Sequence, residues 1–380
     1  MKATSANPDS DLLLRTVTKL QRTAERLQDS MPYTTVAGRY QNCESVDPSW
    51  WTNSFWAGLL WLLYRETNEA RYRVWAESVE AKLDQVLLDY NGLHHDVGFQ
   101  WLLTAVLSHE TTGNAASRSR ALLAASVLAS RFNLSGGFIR AWNWDQPGLT
   151  IIDCLMNLPL LYWASRQTDD DRFAQIARAH TDKVVAHYLR DDGSVPHIVV
   201  FDAPTGAKLD TPRGQGFAAG SSWSRGQAWA LYGLAQGHRW TGQATYLEAA
   251  RRVAAFLLRA LPATGYLPPC DYAQPAQPER WDSSAGAVTA CGFLELAAQV
   301  PASEGQKYAN AAECLLSALE TRCLAAGDEA LLTLGTSAYH TGDSRWDVVH
   351  GALIYGDYYF LEALLKLRAW HTTQGALSHE

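Results

Sequence analysis

Apolar positions recur every three to four residues along most of this chain, and the segments carrying that pattern alternate between two kinds. One kind is apolar at nearly every position, as in LMNLPLLYWA (155–164). The other keeps a charged face, as in DDRFAQIARAHTDKVVAHYL (170–189). A helix apolar all round is enclosed by other elements, whereas one with a polar face lies on the outside. The periodicity predicts twelve helices, over 10–29, 52–66, 70–88, 97–109, 114–131, 150–166, 170–189, 224–239, 244–260, 284–299, 304–323 and 356–370. The even-numbered ones are the enclosed kind. Within pairs the turns are short and carry breakers or polar residues: ETNEA at 66–70, ETTGN at 110–114, QTDDD at 167–171 and TGQ at 241–243. Between pairs the loops are longer (30–49, 132–149, 190–222, 261–283 and 324–355), with YNGLHH at 90–95 as the short exception. Six inner and six outer helices in alternation describe an all-α (α/α)6 toroid, read as a single catalytic domain over 1–380. The 190–222 loop holds VPHIVVFD and PTG, which predicts a small β-hairpin. The repeat is one of architecture, not of sequence.

Six junctions open the inner helices with the same kind of text, a polar or acidic residue, an aromatic and then an apolar run. They are WWTNSFWAGLLWLLY (50–64), HHDVGFQWLLTAV (94–106), LTIIDCLMNLPLLYWA (149–164), SSWSRGQAWALYGLA (221–235), RWDSSAGAVTACGFL (280–294) and YGDYYFLEALLKL (355–367). Around one axis, these polar starts gather at one end, and ligand pockets are built from groups that converge in this way.

The chain has 380 residues, 47% of them apolar, with no Pro/Ser/Gly-rich linker to divide it. A formal charge of −7 and the lack of a basic stripe give no support for nucleic acid or an anionic membrane as partner. The six cysteines show no CxxC and no metal spacing, so they read as buried thiols. The start MKATSANPDSDLLLRT has no apolar core of a signal peptide, and no run of 18 apolar residues follows. A soluble, cytoplasmic protein is the expectation. Tryptophan is the outlier at 15 residues, many at the junctions: Trp50, Trp51, Trp56, Trp142, Trp144, Trp223, Trp229 and Trp281. Aromatic faces beside a polar cleft suit the apolar faces of sugar rings, although tryptophan also plugs loop–helix corners.

Asp96, Asp153, Asp282 and Asp357 sit at inner-helix starts. Aspartate is a favoured N-cap, worth about 1 kcal/mol, and Asp282 and Asp357 fit that role best. Asp96 suits either reading. Asp153 is flanked by Ile151, Ile152, Cys154, Leu155 and Met156. A carboxyl in such text holds its proton towards neutral pH. Asn157, one turn on, falls on the same helical face and can orient it. Paired carboxylates in a tryptophan-lined cleft point to glycoside chemistry in general. His95 precedes Asp96 and His197 lies in the hairpin; neither has metal-ligand spacing, so no metal or cofactor is expected. Arg225 opens an inner helix, where a cation opposes the macrodipole and so should face an anion.

HHDVGF, IIDCLMNLPLLYWAS, SSWSRGQAWALYG, DSSAGAVTACG and YGDYYFLEALL together resemble the unsaturated glucuronyl hydrolases of glycoside hydrolase family 88, over about Trp51 to Leu365. The resemblance implies an (α/α)6 barrel that hydrolyses oligosaccharides bearing a 4,5-unsaturated uronic acid at the non-reducing end, the ends that polysaccharide lyases generate. It implies a reaction that begins by hydrating the C4=C5 vinyl ether. Asp153 would protonate C4 and then, as base, help water add at C5; the hemiketal opens and releases the next sugar. Asp96 would be the second essential carboxylate. Gln215, His197, His95 and Arg225 would bind the uronate and its surroundings, with Trp51, Trp223 and Trp229 as aromatic walls. Some members accept sulfated fragments through small polar and Lys residues in the last long loop. Here that loop, TLGTSAYHTGDSRWDVVHG (333–351), has no Lys and one arginine, Arg345, beside Ser337 and Ser344, which favours unsulfated substrates.

Two related readings share this architecture. An unsaturated rhamnogalacturonyl hydrolase would apply the same hydration to pectin-derived disaccharides. A sugar epimerase or isomerase would want catalytic histidines on inner helices, whereas here acids carry the motifs. A non-catalytic carbohydrate-binding scaffold would keep the tryptophans but has no need of Asp153.

Overall fold

In four of the turns inside the helix pairs the chain repeats one device. A threonine ends the inner helix, and its Oγ1 donates back to the carbonyl four residues earlier: Thr67 to Leu63, Thr112 to Ser108, Thr168 to Ala164 and Thr241 to Gly237, all at 2.7–2.8 Å. The next residue (Asn68, Gly113, Asp169 or Gly242) takes left-handed backbone, with φ of 57°, 74°, 53° and 68°. Its N–H then returns to a carbonyl of the last turn. Gly, Asn and Asp are the residues that enter this region at least cost. The reversal is tight, so each inner helix is followed by an antiparallel outer one.

The structure, a computed structural model, describes residues 8–342, 344 and 346–377. In chain order the helices are α1 (Pro8–Leu27), α2 (Phe55–Thr67), α3 (Ala70–Lys82), α4 (Val97–Trp101), α5 (Leu107–Thr112), α6 (Ala115–Ser130), α7 (Pro159–Thr168), α8 (Arg172–His187), α9 (Ser224–Thr241), α10 (Ala244–Ala260), α11 (Ser283–Ala297), α12 (Ala302–Cys323) and α13 (Ile354–Leu377). A π-turn at Leu102–Val106 joins α4 and α5 into one rod, so twelve rods are present among the described residues. The inner ones are enclosed as their all-apolar text requires. Every residue of α11 is buried, as is every residue of α9 from Ser224 to Gly237. In α9 to α13 the ring runs by contact from α9 to α11 to α13, and α13 returns to α2. This is the expected (α/α)6 arrangement.

The predicted helix over 150–166 is corrected. Its first residues form a strand, β5 (Leu149–Ile151), then a 3-10 turn (Ile152–Met156), and only Pro159 starts the α-helix. The β-branched run Thr150–Ile151–Ile152 favours extended backbone, and proline suits the first helical turn. β5 pairs antiparallel with β6 (Ile198–Phe201), Ile151 opposite Ile198, and β6 pairs with β7 (Lys208–Asp210). The hairpin expected at 190–222 is thus the larger part of a three-stranded sheet. Two further hairpins, β1–β2 (Pro32–Val36, Arg39–Asn42) and β3–β4 (Phe132–Asn133, Phe138–Ile139), lie in stretches read as loops.

One buried ion pair ties the helix starts together. Arg225, in the first turn of α9, is 1% exposed. Its Nη1 donates to Asp282 Oδ2 (2.5 Å) and to the Thr336 carbonyl (2.9 Å), and its Nη2 to the Ser337 carbonyl (2.6 Å). Asp282 caps α11 through the Ser284 N–H at 3.1 Å. Asp357, also expected to cap, instead accepts from the Leu331 and Leu332 N–H groups (2.7 and 3.0 Å) and from the Tyr40 hydroxyl (2.8 Å). It pins the last long loop to the start of α13.

Two stability predictions follow from these contacts. Arg225→Ala leaves Asp282 buried and uncompensated, so the unfolding free energy should fall by about 3–5 kcal/mol in denaturant titration. A fall under about 1 kcal/mol would show the pair to be dispensable. At Gly98 an added Cβ would lie 2.4–2.5 Å from Asn157, backbone and side chain alike. Gly98→Ala should therefore cost roughly 1–3 kcal/mol by overpacking, and an unchanged midpoint would contradict that close approach.

Candidate active site

The starts of α4 and α9, the end of β5 with the 3-10 turn that follows it, and the loop before α2 border a cavity of about 330 Å³. Its wall brings together seven of the ten residues given a site role from the sequence: Asp96, Asp153, Trp51, Gln215, Trp223, Arg225 and Trp229. Trp50, Phe99, Trp142, Trp144, His94, Asp145 and Ile151 complete it. Trp56 and Trp281 belong elsewhere. Trp56 is wholly buried, with its indole N–H on the Gln28 carbonyl, a loop–helix plug; Trp281 packs under Arg322.

His197, Asn157 and His95 are absent from the lining and stand behind the two acids. The Gln215 N–H donates to His197 Nδ1 at 3.0 Å, which leaves the proton of the neutral ring on Nε2. That Nε2 lies 3.2 Å from Asp153 Oδ1 and donates to it. Asp153 Oδ2 has no protein partner although it is buried. One oxygen of Asp153 is held by His197, and the other is buried without a protein partner. Asn157, expected to orient Asp153, orients Asp96 instead. Its Nδ2 donates to Asp96 Oδ1 (3.1 Å), while its Oδ1 accepts the Phe99 N–H (2.7 Å). The reason is the 3-10 turn, which breaks the helical register between positions 153 and 157. His95 is fully buried, edge-on to Trp142, with Nε2 at 3.5 Å from Asp96 Oδ1. Its neighbour His94, which the sequence reading passed over, is the one that lines the cavity. The HHD doublet marked the place but not which ring would face inwards.

Electrostatics separates these groups. Burial, with the charge of Asp153 adding to it, holds the Asp96 carboxyl well above the usual carboxylate range, against the opposing pull of the Asn157 hydrogen bond and of Arg131. Burial pushes His94 down to about 3 and His95 well below its ordinary value, Arg131 reinforcing both. The imidazoles beside Asp96 are therefore neutral and do not form ion pairs with it. His94, His95 and Asp96 bring one ligand atom each within 4.8 Å of one another. The field of Arg131 at all three opposes a divalent cation there, and no metal is assigned.

Arg225 lines the cavity, yet the anion it faces is Asp282. Its donors are directed to that carboxylate and to the carbonyls of Thr336 and Ser337. Its planar head packs against the rings of Trp223 (4.5 Å) and Tyr355 (5.1 Å). Arg225 is thus a buried anchor beneath the aromatic floor as well as part of the cavity lining. Gln215 is similarly committed, Nε2 donating to the Ser337 carbonyl at 2.8 Å.

Known proteins resemble this chain in sequence and fold. The model of Glycosyl Hydrolase Family 88 matches residues 23–245. An unsaturated glucuronyl hydrolase from Bacillus sp. (strain GL1) is 39% identical over 328 residues, covering 83% of this chain and 86% of the relative. An unsaturated chondroitin disaccharide hydrolase from Streptococcus pyogenes serotype M1 is 33% identical over 333 residues, covering 84% and 82%. The crystal structure of the unsaturated glucuronyl hydrolase from Bacillus sp. GL1, responsible for the degradation of glycosaminoglycan, superposes with a TM-score of 0.87 at 34% identity, over 94% of this chain and 96% of that one. With more than half the chain matched and these acids at the mouth of an (α/α)6 barrel, this protein belongs to glycosyl hydrolase family 88.

Proposed function

We propose that the cavity receives a 4,5-unsaturated uronic acid at the non-reducing end of a lyase-made oligosaccharide, and that Asp153 and Asp96 carry its removal. The chain is a glycoside hydrolase of the unsaturated glucuronyl type. The observation that carries the division of labour is the buried, unpartnered Oδ2 of Asp153 in the wall of a tryptophan-lined cavity shared with a second carboxyl. Two acids in one desolvated site cannot both ionise freely, so one proton stays within the pair. Asp153 delivers that proton to C4 of the vinyl ether. Positive charge develops at C5 and the ring oxygen. Water adds at C5 and gives its proton back to the Asp153 carboxylate, which His197 holds in line through Oδ1. The product is a hemiketal that opens and frees the next sugar. Asp96 stabilises the developing charge and binds sugar hydroxyls, fixed by Asn157. Trp51, Trp223 and Trp229 supply walls for the ring and exclude water.

Residues 333–351 contain no Lys, and their single arginine, Arg345, lies outside the described residues. Ser337 is committed as well, its Oγ accepting the Val348 N–H at 2.9 Å. These features support a preference for unsulfated substrates.

Asp153→Asn keeps the shape and removes the transferable proton. Turnover of an unsaturated disaccharide, followed as loss of the absorbance of its double bond, should fall at least ~100-fold while binding persists. Near-normal turnover in the folded variant would remove Asp153 from the chemistry. Across unsaturated disaccharides from hyaluronan, chondroitin, heparin, gellan and rhamnogalacturonan, the unsulfated glucuronyl members should show the higher kcat/KM. Equal or better rates on sulfated ones would refute the preference.

A further inference from the structure

One side of the cavity is built mostly on loops, only Asp96, the N-cap of α4, belonging to an inner helix. His94–Asp96 and Trp142–Asp145 come from two loops that meet there, and the residue that joins them is Arg131, directly after the outer helix α6. Its Nη2 donates to the Ala141 carbonyl at 2.9 Å, which also accepts the His95 N–H at 3.1 Å. Its Nη1 donates to Asn143 Oδ1 at 2.8 Å and reaches the Leu93 carbonyl at 3.4 Å, and its Nε donates to the Arg140 carbonyl at 3.1 Å. Asn143 completes the tie, with Nδ2 on the carbonyls of Leu93 (2.8 Å) and Tyr90 (3.0 Å). Asn143 thus turns away from the cavity, between two residues whose indoles, Trp142 and Trp144, stack at 6.2 Å and 15° and face it. His94 meets Trp144 edge-on at 5.7 Å.

We propose that Arg131 is a positioning residue for the reaction: through Ala141, Leu93 and Asn143 it fixes Asp96 against the Trp142–Trp144 wall, and it brings to that side of the cavity the positive charge that faces Asp96. The assignment rests on the reading of Asp96 and Asp153 as the reacting pair. The groups facing Asp96 are the neutral His94 and His95 on its own segment, Asp153 and the buried Cys154 thiol on the 3-10 turn, and Arg131 from the outer layer. His180 and His197 lie farther out, around His95. Burial and Asp153 raise the proton affinity of Asp96, and Arg131 is the charge that lowers it. Removing that charge must therefore move the titration of Asp96 upwards.

Three variants separate charge from geometry. Asp96 can be titrated without substrate by carbon-13 NMR of labelled aspartate carboxyls, its signal assigned with Asp96→Asn. In Arg131→Gln the Asp96 titration should rise by roughly half a pH unit or more. Arg131→Lys keeps the charge and loses the fork. It should hold the titration near the wild type and raise KM for an unsaturated disaccharide roughly three- to tenfold. Asn143→Ala should leave the titration in place and raise KM similarly, with kcat changed less than about twofold on the same reasoning. An unmoved Asp96 titration in folded Arg131→Gln overturns the electrostatic part. Wild-type KM in both Arg131→Lys and Asn143→Ala overturns the positional part, and a lowered melting temperature alone then makes Arg131 a structural anchor only. A wild type inactive on every unsaturated disaccharide sinks the functional reading instead, while the NMR titration still decides the charge of Arg131.

Discussion

The architecture of the cavity depends on one buried cation. An (α/α)6 ring places the N-termini of its inner helices at one end, where unpaired N–H groups and long loops meet out of water. Something must hold those loops in register. Arg225 does so with a single planar fork: it reaches the cap of α11 through Asp282 and the last long loop through the carbonyls of Thr336 and Ser337. Trp223 and Tyr355 shield it from either side. Replacing such a pair by apolar groups can be neutral, but removing one partner strands the other. The fork also carries directional information that an apolar plug lacks, since its donors fix where two carbonyls of a loop must stand.

The same economy of charge holds around the acids. Asp96 and Asp153 lie in a cavity where both are desolvated, and charged histidines beside them would neutralise the pair and discharge its proton. The structure avoids this by burying His94 and His95 until they are neutral. His197 is fixed in one tautomer by the Gln215 N–H, so it acts on Asp153 as a hydrogen-bond donor. The C4 carbon of a vinyl ether is a weak base. Its protonation needs an acid that has kept its proton in a site that water does not level. The neutral histidines around the Asp96–Asp153 pair fit that demand better than an ion-pair network would.

Much of this was legible in the chain and some of it was not, for definite reasons. The alternation of all-apolar and one-faced helices announced the ring, because burial on every side leaves no other periodicity. The junction aspartates and tryptophans announced the mouth, because polar residues before an apolar helix have nowhere else to go. What failed was register. Asn157 was placed on Asp153 by helical spacing, and the β-branched residues before it bend the chain into a strand and a 3-10 turn instead. Arg225 was read correctly as facing an anion, yet the anion is Asp282, 57 residues on, a contact that no local pattern carries. His94 and His95 are equivalent in sequence, and only the His95 N–H bond to Ala141 decides which ring lies inwards.

These failures share a cause that bears on how the site divides its tasks. The floor of the cavity (Trp223, Arg225, Trp229) stands on the first turns of α9, a helix buried along its whole inner length, and is as rigid as the ring. The facing wall stands on two loops, several of whose carbonyls are satisfied by the side chains of Arg131 and Asn143. Loops held by side chains tolerate substitution better than helix starts do. The ring side is therefore the more fixed of the two, and the loop side leaves Trp144 69% exposed at its rim. Because Asp96 belongs to that second side, any change that retunes the loops for a different neighbouring sugar also moves an acid of the pair, so that specificity and proton affinity are physically coupled in this fold.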